Sequence, residues 1–236
     1  MVPILLGLTS DYAAKLSAAT GAGAWSLVVR FQALGPLPSF APADVTLFAA
    51  RGSTDANGAL LPVVDWAAYP WRPLSTSLNA DGSARAHFPD GAVNAAQWSS
   101  ALSSPGTTAA AASNVDLAIT LDDGKVPLTL VVHHAVVQAT MAPDGATLTG
   151  GNLGGILDTN ELVDSFKQYA ETSVCCGSLC DGLQGLLSQI RGASDILGDG
   201  SQDPAKPCDG VSIGLGFEAT KSAIGEPVAP TAAACK

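Results

Sequence analysis

The sequence predicts a mainly β fold, an antiparallel β-sandwich of jelly-roll or Greek-key type, with an N-terminal helix and a helical excursion before the last strand. Three observations predict it. Apolar and polar residues alternate at period two in segments spread along the chain. Short turns rich in Asp, Gly and Pro join several of these segments where βαβ units would need helices, so pairing is antiparallel. Period 3.6 takes over after residue 20 only between about 158 and 190. The 236 residues, 47% hydrophobic and 14% charged, supply ample apolar material for a sizeable core. One domain over residues 1–236 is therefore expected, with a helical insertion at about 158–197 and a flexible tail at about 225–236.

Taken in order, Leu5, Leu8, Tyr12 and Leu16 fall near one face of a helix over about 2–19, ending at Gly21. The apolar run from Val2 to Leu8 lacks a basic n-region and a prompt cleavage site, so it reads as the start of a mature chain behind an added Met1. In the first strand Trp25, Leu27, Val29 and Phe31 alternate with Ser26, Val28, Arg30 and Gln32. Residues 45–49 and 84–88 are weaker strands, entered through the proline-rich turn 36–42 and the turn 79–82. Val115, Leu117, Ile119 and Leu121 alternate with Asp116, Ala118 and Thr120. The turn Asp122-Asp123-Gly124 then leads into the long stretch 126–141, a hairpin pattern. Asp158 with Glu161 three residues on resembles a capping box, and Leu162, Phe166 and Tyr169 make one apolar helix face. Leu183, Leu186, Leu187 and Ile190 repeat that face in a second helix. The closing strand is the strictest alternation in the chain: Val211, Ile213, Leu215, Phe217 and Ala219.

Composition narrows the function classes. A net charge of −10 disfavours nucleic acid and anionic membranes as partners, since both select basic patches. No apolar run approaches the roughly 20 residues of a spanning helix, so no transmembrane segment is expected. The low charge and apolar content argue against disorder. There is no GxSxG elbow, no Walker-type loop and no HExxH. Gly150-Gly151-Asn152-Leu153-Gly154-Gly155 suggests a phosphate cradle, but a dinucleotide loop needs a βαβ unit that is absent here. Turns or bulges before the helix are the expected reading.

Four groups are candidate sites. Trp66, Tyr69 and Trp71 form the dense aromatic cluster, either a stacking platform for sugars or a plug for the mouth of the sandwich. Asp199, Ser201 and Asp203 place oxygens at alternate positions, a spacing that can supply three ligands to Ca2+, with Asp195 before and Asp209 after. His133 and His134 are adjacent in a strand and point to opposite faces, which disfavours joint chelation. A buried, hydrogen-bonded histidine is the expected role, and acid–base work would need a partner the sequence does not place. His87 stands apart from both.

Cys175, Cys176, Cys180, Cys208 and Cys235 all fall in the last third, beside Gly, Asp and Pro. They read as disulfide staples of a loop-rich region, with Cys208 bonded to the helical region across about 30 residues. That pattern, with six lysines among many Ser, Thr, Gly and Ala residues, suits a secreted or surface protein of a bacterium. Zinc is the rival reading, but no CxxC pair is present. Five is odd, so one cysteine is free, capped or bonded to another chain, with Cys235 the least certain.

Two stretches resemble uncharacterised secreted or lipid-anchored β-rich proteins of myxobacteria and similar bacteria. One is the hairpin from Leu117 running into Ala146-Thr-Leu-Thr-Gly-Gly-Asn-Leu-Gly-Gly-Ile-Leu. The other is Pro207-Cys208-Asp209-Gly-Val-Ser-Ile-Gly-Leu-Gly-Phe217. The resemblance covers about half the chain and implies an extracellular β-rich domain; it transfers no activity and no site.

The expected function is that of a non-enzymatic, extracellular or cell-surface structural or binding module, able to self-associate or to meet another surface protein. The first alternative is a carbohydrate-binding module that uses Trp66, Tyr69 and Trp71 on a glycan, with calcium assisting. The second is a hydrolase with a site at His133 or His134.

Overall fold

A computed structural model of the chain describes residues 12–32, 43–94, 97–99, 115–122, 126–142, 145–171 and 179–229. The fold is mainly β. Helix α1 (Tyr12–Gly21) precedes β1 (Ser26–Gln32), β2 (Ala43–Arg51), β3 (Pro70–Pro73), β4 (Ala86–Asn94), β5 (Gln97–Ser99), β6 (Val115–Asp122), β7 (Val126–Met141) and β8 (Thr147–Asp158). Helices α2 (Thr159–Tyr169) and α3 (Leu179–Gly192) follow, then β9 (Gly210–Thr220) and β10 (Ala223–Ile224). Residues 1–11, and with them Leu5 and Leu8 of the expected first helix, lie outside the described residues.

One layer is built on β2. It pairs antiparallel with β1 along seven residues, and its other edge is shared by β4 at one end and β3 at the other. The second layer is built on β7, which pairs with β8 on one edge and shares the other between β6 and β5. The β4–β5 hairpin carries the chain from one layer to the other, Ala92 pairing with Ser99. The main core lies between the layers: Val45 and Leu47 of β2 join Leu128, Leu130 and Val132 of β7, Leu153 and Leu157 of β8, and Val211 of β9. The helices close it with Leu162, Val163, Phe166 and Tyr169 from α2 and Leu186, Leu187 and Ile190 from α3. These are the expected helix faces. Asp158 caps α2, its Oδ1 accepting from the Asn160 and Glu161 amides at 2.8 and 2.9 Å.

Two features depart from the simple period. In β7 the buried positions are 128, 130 and 132, then 135, 137, 139 and 141. The parity changes because a bulge is inserted between His133 and Val136, where His134 adopts φ 51°. The glycine-rich run 150–155, expected as turns or bulges, is a continuous strand with one bulge between Leu148 and Gly151. Its glycines serve close packing. A Cβ on Gly151 would sit 2.5 Å from the Phe217 ring, and one on Gly155 would meet the Val132 side chain and stand 2.8 Å from the His133 carbonyl. The segment after β9 is hydrogen-bonded as far as Val228: the amides of Ala223, Gly225 and Val228 donate to the carbonyls of Tyr69, Trp71 and Pro73.

Candidate functional site

β1 and β9 are the outer strands of their layers, and a cleft of about 560 Å³ opens where the first of them faces the second layer. Six consecutive β1 residues, 26–31, line one wall. The opposite wall comes from Thr147 and Leu148 at the start of β8, Glu218 to Lys221 at the end of β9, and Ile224. Trp66 and Trp71 close one side.

The three aromatics of the sequence cluster separate by role. Tyr69 and Trp71, 5% and 2% exposed, form a second small core with Val28 and Ala50. The Tyr69 hydroxyl donates to the Leu61 carbonyl at 2.8 Å. Both are packing residues, although Trp71 reaches the cleft wall. Trp66 is 39% exposed and stacks on Trp71 with ring centroids 6.2 Å apart and planes at 25°. A buried ring thereby holds an exposed ring in one orientation, which gives it the rigidity of a stacking platform.

Arg30 was not singled out by the sequence reading. It sits at a polar position of the β1 alternation, lines the cleft, and places its Cζ 5.3 Å from the centroid of the Phe48 ring. Its Nε is buried and without a hydrogen-bond partner. The covered Nε is out of a ligand's reach, so Arg30 contributes to the cleft as a charged lining residue. The signal for it was available: the one charged residue of β1, in a protein with few basic residues.

In the Asp199–Asp203 loop the carboxylates are held by local hydrogen bonds. Asp199 Oδ1 accepts from the Ser201 amide at 2.8 Å and Asp203 Oδ1 from the Ala205 amide at 3.0 Å, both two residues on. Asp203 also lies 3.9 Å from Lys206 Nζ. The side-chain and backbone hydrogen bonds of Ser201 hold the Asp199 carboxyl below the usual carboxylate range, with charge effects from Lys206 and His134 adding to them. Asp195 and Asp209 are also engaged, on Ser212 and the Gly198 amide. Among the described residues no three His, Cys, Asp or Glu side chains gather where they could hold a metal. Two of the alternating oxygens, those of Asp199 and Asp203, serve as turn acceptors.

At the β7 bulge, His133 Nε2 lies 2.7 Å from Glu161 Oε2. Glu161 therefore serves His133, where the capping-box pattern would have sent it to the helix start. Neither histidine of the pair is buried: His134 is exposed and His133 is half-buried, so the expected core histidine is corrected. His87 is exposed on β4. No hydroxyl or thiol of the described residues is hydrogen-bonded to His133. Cys208 is a free, exposed thiol, which corrects the bond expected from it to the helical region. Cys175, Cys176 and Cys235 lie outside the described residues, and Cys180 is described only as backbone in the first turn of α3.

No protein-family model, no curated protein and no solved structure matches the chain.

Proposed function

We propose that this chain is a non-enzymatic binding module whose ligand enters the cleft beside β1, and that the ligand is a sugar or short glycan. The cleft carries this reading, because it joins an orientationally fixed, exposed Trp66 ring to the charged side chain of Arg30 in one lining. Its volume of about 560 Å³ falls in the range that small ligands occupy, roughly 300–1,000 Å³. Ser26, Thr147, Glu218 and Lys221 add polar groups to apolar walls, the mixture that hydroxyl-rich ligands with apolar faces require. Exposure at a bacterial surface or secretion is part of the proposal and rests on composition: few lysines and many small polar residues.

Screening the purified chain on a glycan array tests this, with tryptophan fluorescence to measure affinity for any ligand found. Trp66→Ala is expected to weaken binding about tenfold, the worth of a strong aromatic contact, with the thermal midpoint nearly unchanged. Arg30→Gln should weaken it comparably. Absence of any glycan ligand, or binding that survives both substitutions, overturns the reading.

A second reading, hydrolysis at His133, gains the carboxylate partner it lacked in the sequence. It remains the weaker one because no hydroxyl or thiol among the described residues is hydrogen-bonded to His133, and the His133–Glu161 pair lies outside the cleft.

A further inference from the structure

Strand β9 ends the second layer. It pairs with β8 from Gly210 to Thr220 and with no other described strand. Its first residues are covered on the open side. Gly210 exchanges main-chain hydrogen bonds with Ile196, and the Ser212 amide donates to Asp195 Oδ1 at 2.8 Å. Those bonds identify the outward-facing residues. If Gly210 and Ser212 direct their N–H and C=O groups to the open edge, strand alternation makes Gly214, Gly216 and Glu218 do the same. Beyond Ser212 nothing described covers them.

Strand edges in monomeric proteins are usually blunted by lysine, proline, a bulge or short length. Residues 210–220 contain no lysine and no proline. The extra residues of the β8–β9 bulge lie on β8, leaving β9 regular over eleven residues. Its side chains at 213, 215, 217 and 219 are only partly buried.

We propose that the open edge of β9 pairs antiparallel with β9 of a second copy of this chain, about a two-fold axis at Gly216. Three features are consistent with this occupant and register, and charge variants at Gly214 test the register. Outward-facing residues must meet one another as hydrogen-bonded pairs, so even positions oppose even positions. The Asp195–Ile196 segment blocks the edge at 210–212, so the pairing is confined to the portion after Ser212. Centring on Gly216 meets both conditions and sets Gly214 opposite Glu218 of the partner subunit. Glu218 is the only charged residue of the strand, and in this register no carboxylate faces a carboxylate. About six main-chain hydrogen bonds form, and Leu215 meets Phe217 of the partner subunit on the core-facing side. A two-fold, self-complementary contact is the commonest way for a chain to associate. The net charge of −10 opposes association, so salt strengthens the dimer.

Sedimentation equilibrium of the full chain under reducing conditions, which excludes dimers linked through Cys208, tests the proposal at low and high salt. A concentration-dependent dimer that tightens with salt is expected. Gly214 has room for a side chain, since its Cβ would meet nothing closer than Asn152 Oδ1 at 3.9 Å. Gly214→Lys should tighten the dimer and Gly214→Glu loosen it, each on the order of tenfold for two symmetric contacts. Adding Glu218→Lys to Gly214→Glu should restore it. Circular dichroism confirms that each variant is folded. A chain that stays monomeric at every concentration overturns the proposal, as does a dimer indifferent to the sign of charge at 214. A monomer that captures an added extended peptide at β9 assigns the edge to another chain and overturns it equally. Glu218 belongs to both the cleft wall and this edge, whereas Trp66 and Arg30 line other parts of the cleft. Trp66→Ala and Arg30→Gln should therefore leave the dimer unchanged, which separates failure of one proposal from failure of the other.

Discussion

The Tyr69 hydroxyl stands where the chain leaves it little space. A Cβ added at Gly23 or Gly52 would run into it, and Gly23 holds φ 73°, a conformation that favours glycine. Burial raises the phenol above its ordinary pKa of 10.0. A raised folded-state value means that the neutral form is favoured by folding. Its contribution to stability is therefore complete below pH 10 and is lost as the pH rises through the folded-state value, because the unfolded chain ionises first. Tyr69→Phe keeps the ring on Trp71 but deletes the donor to Leu61, leaving that carbonyl unpaired. We expect a loss of about 1 kcal/mol at neutral pH, and a smaller alkaline decline in the variant than in the parent. Urea unfolding at pH 7 and above pH 10 measures both.

Helix α2 couples the histidine corner to the core. Its cap, Asp158, is the last residue of β8, so one carboxylate ends a strand and begins a helix. From there α2 buries Leu162, Phe166 and Tyr169 and presents Glu161 to His133. Asp158→Ala should cost about 1 kcal/mol, the usual worth of such a cap. It should also raise amide exchange in the first turn of α2 while leaving β9 protected, a pattern that hydrogen-exchange mass spectrometry resolves. The Asp158 half of the capping-box pattern was legible because it depends only on a carboxylate placed just before the helix period begins. The other half was not, since Glu161 pairs with His133. β1, β7, β9 and the two helix faces were legible as well, because their periods are local. The parity change at His134 was not legible, since a bulge is decided by the register with β8. The glycines of β8 point the same way: Gly151 matters because Phe217 lies against it, a contact that spans 66 residues of sequence. Arg30 and the Glu161–His133 pair belong to the same class. Their residue types were visible, but the contacts that give them a role exist only after the layers meet.

Strands β3 and β10 show how the chain closes on itself. Both are short, and β3 is bounded by Pro70 and Pro73, so neither carries an alternation that a sequence reading can catch. Their pairing is parallel, Ala223 with Pro70 and Ile224 with Trp71. Beyond it the Arg72 Nε donates to the Glu226 carbonyl at 3.1 Å, and the Ser75 amide to the Val228 carbonyl at 2.9 Å. The segment leaves β9 in one layer and binds β3 in the other, beside Trp71 and the cleft. It therefore acts as a clasp between layers that otherwise communicate through the core and the β4–β5 hairpin. A chain ending at Ser222 should be less stable than one ending at Ala229. The five main-chain donors and acceptors lost contribute about 1 kcal/mol each at most, and partial rehydration lowers the sum to on the order of 3 kcal/mol. Denaturant midpoints of the two truncations measure the difference. The shorter chain should also weaken any ligand that depends on Trp66, because Trp71, on which Trp66 stacks, loses the strand that holds its backbone. Equal midpoints for the two truncations would show that the layers are held by the core alone.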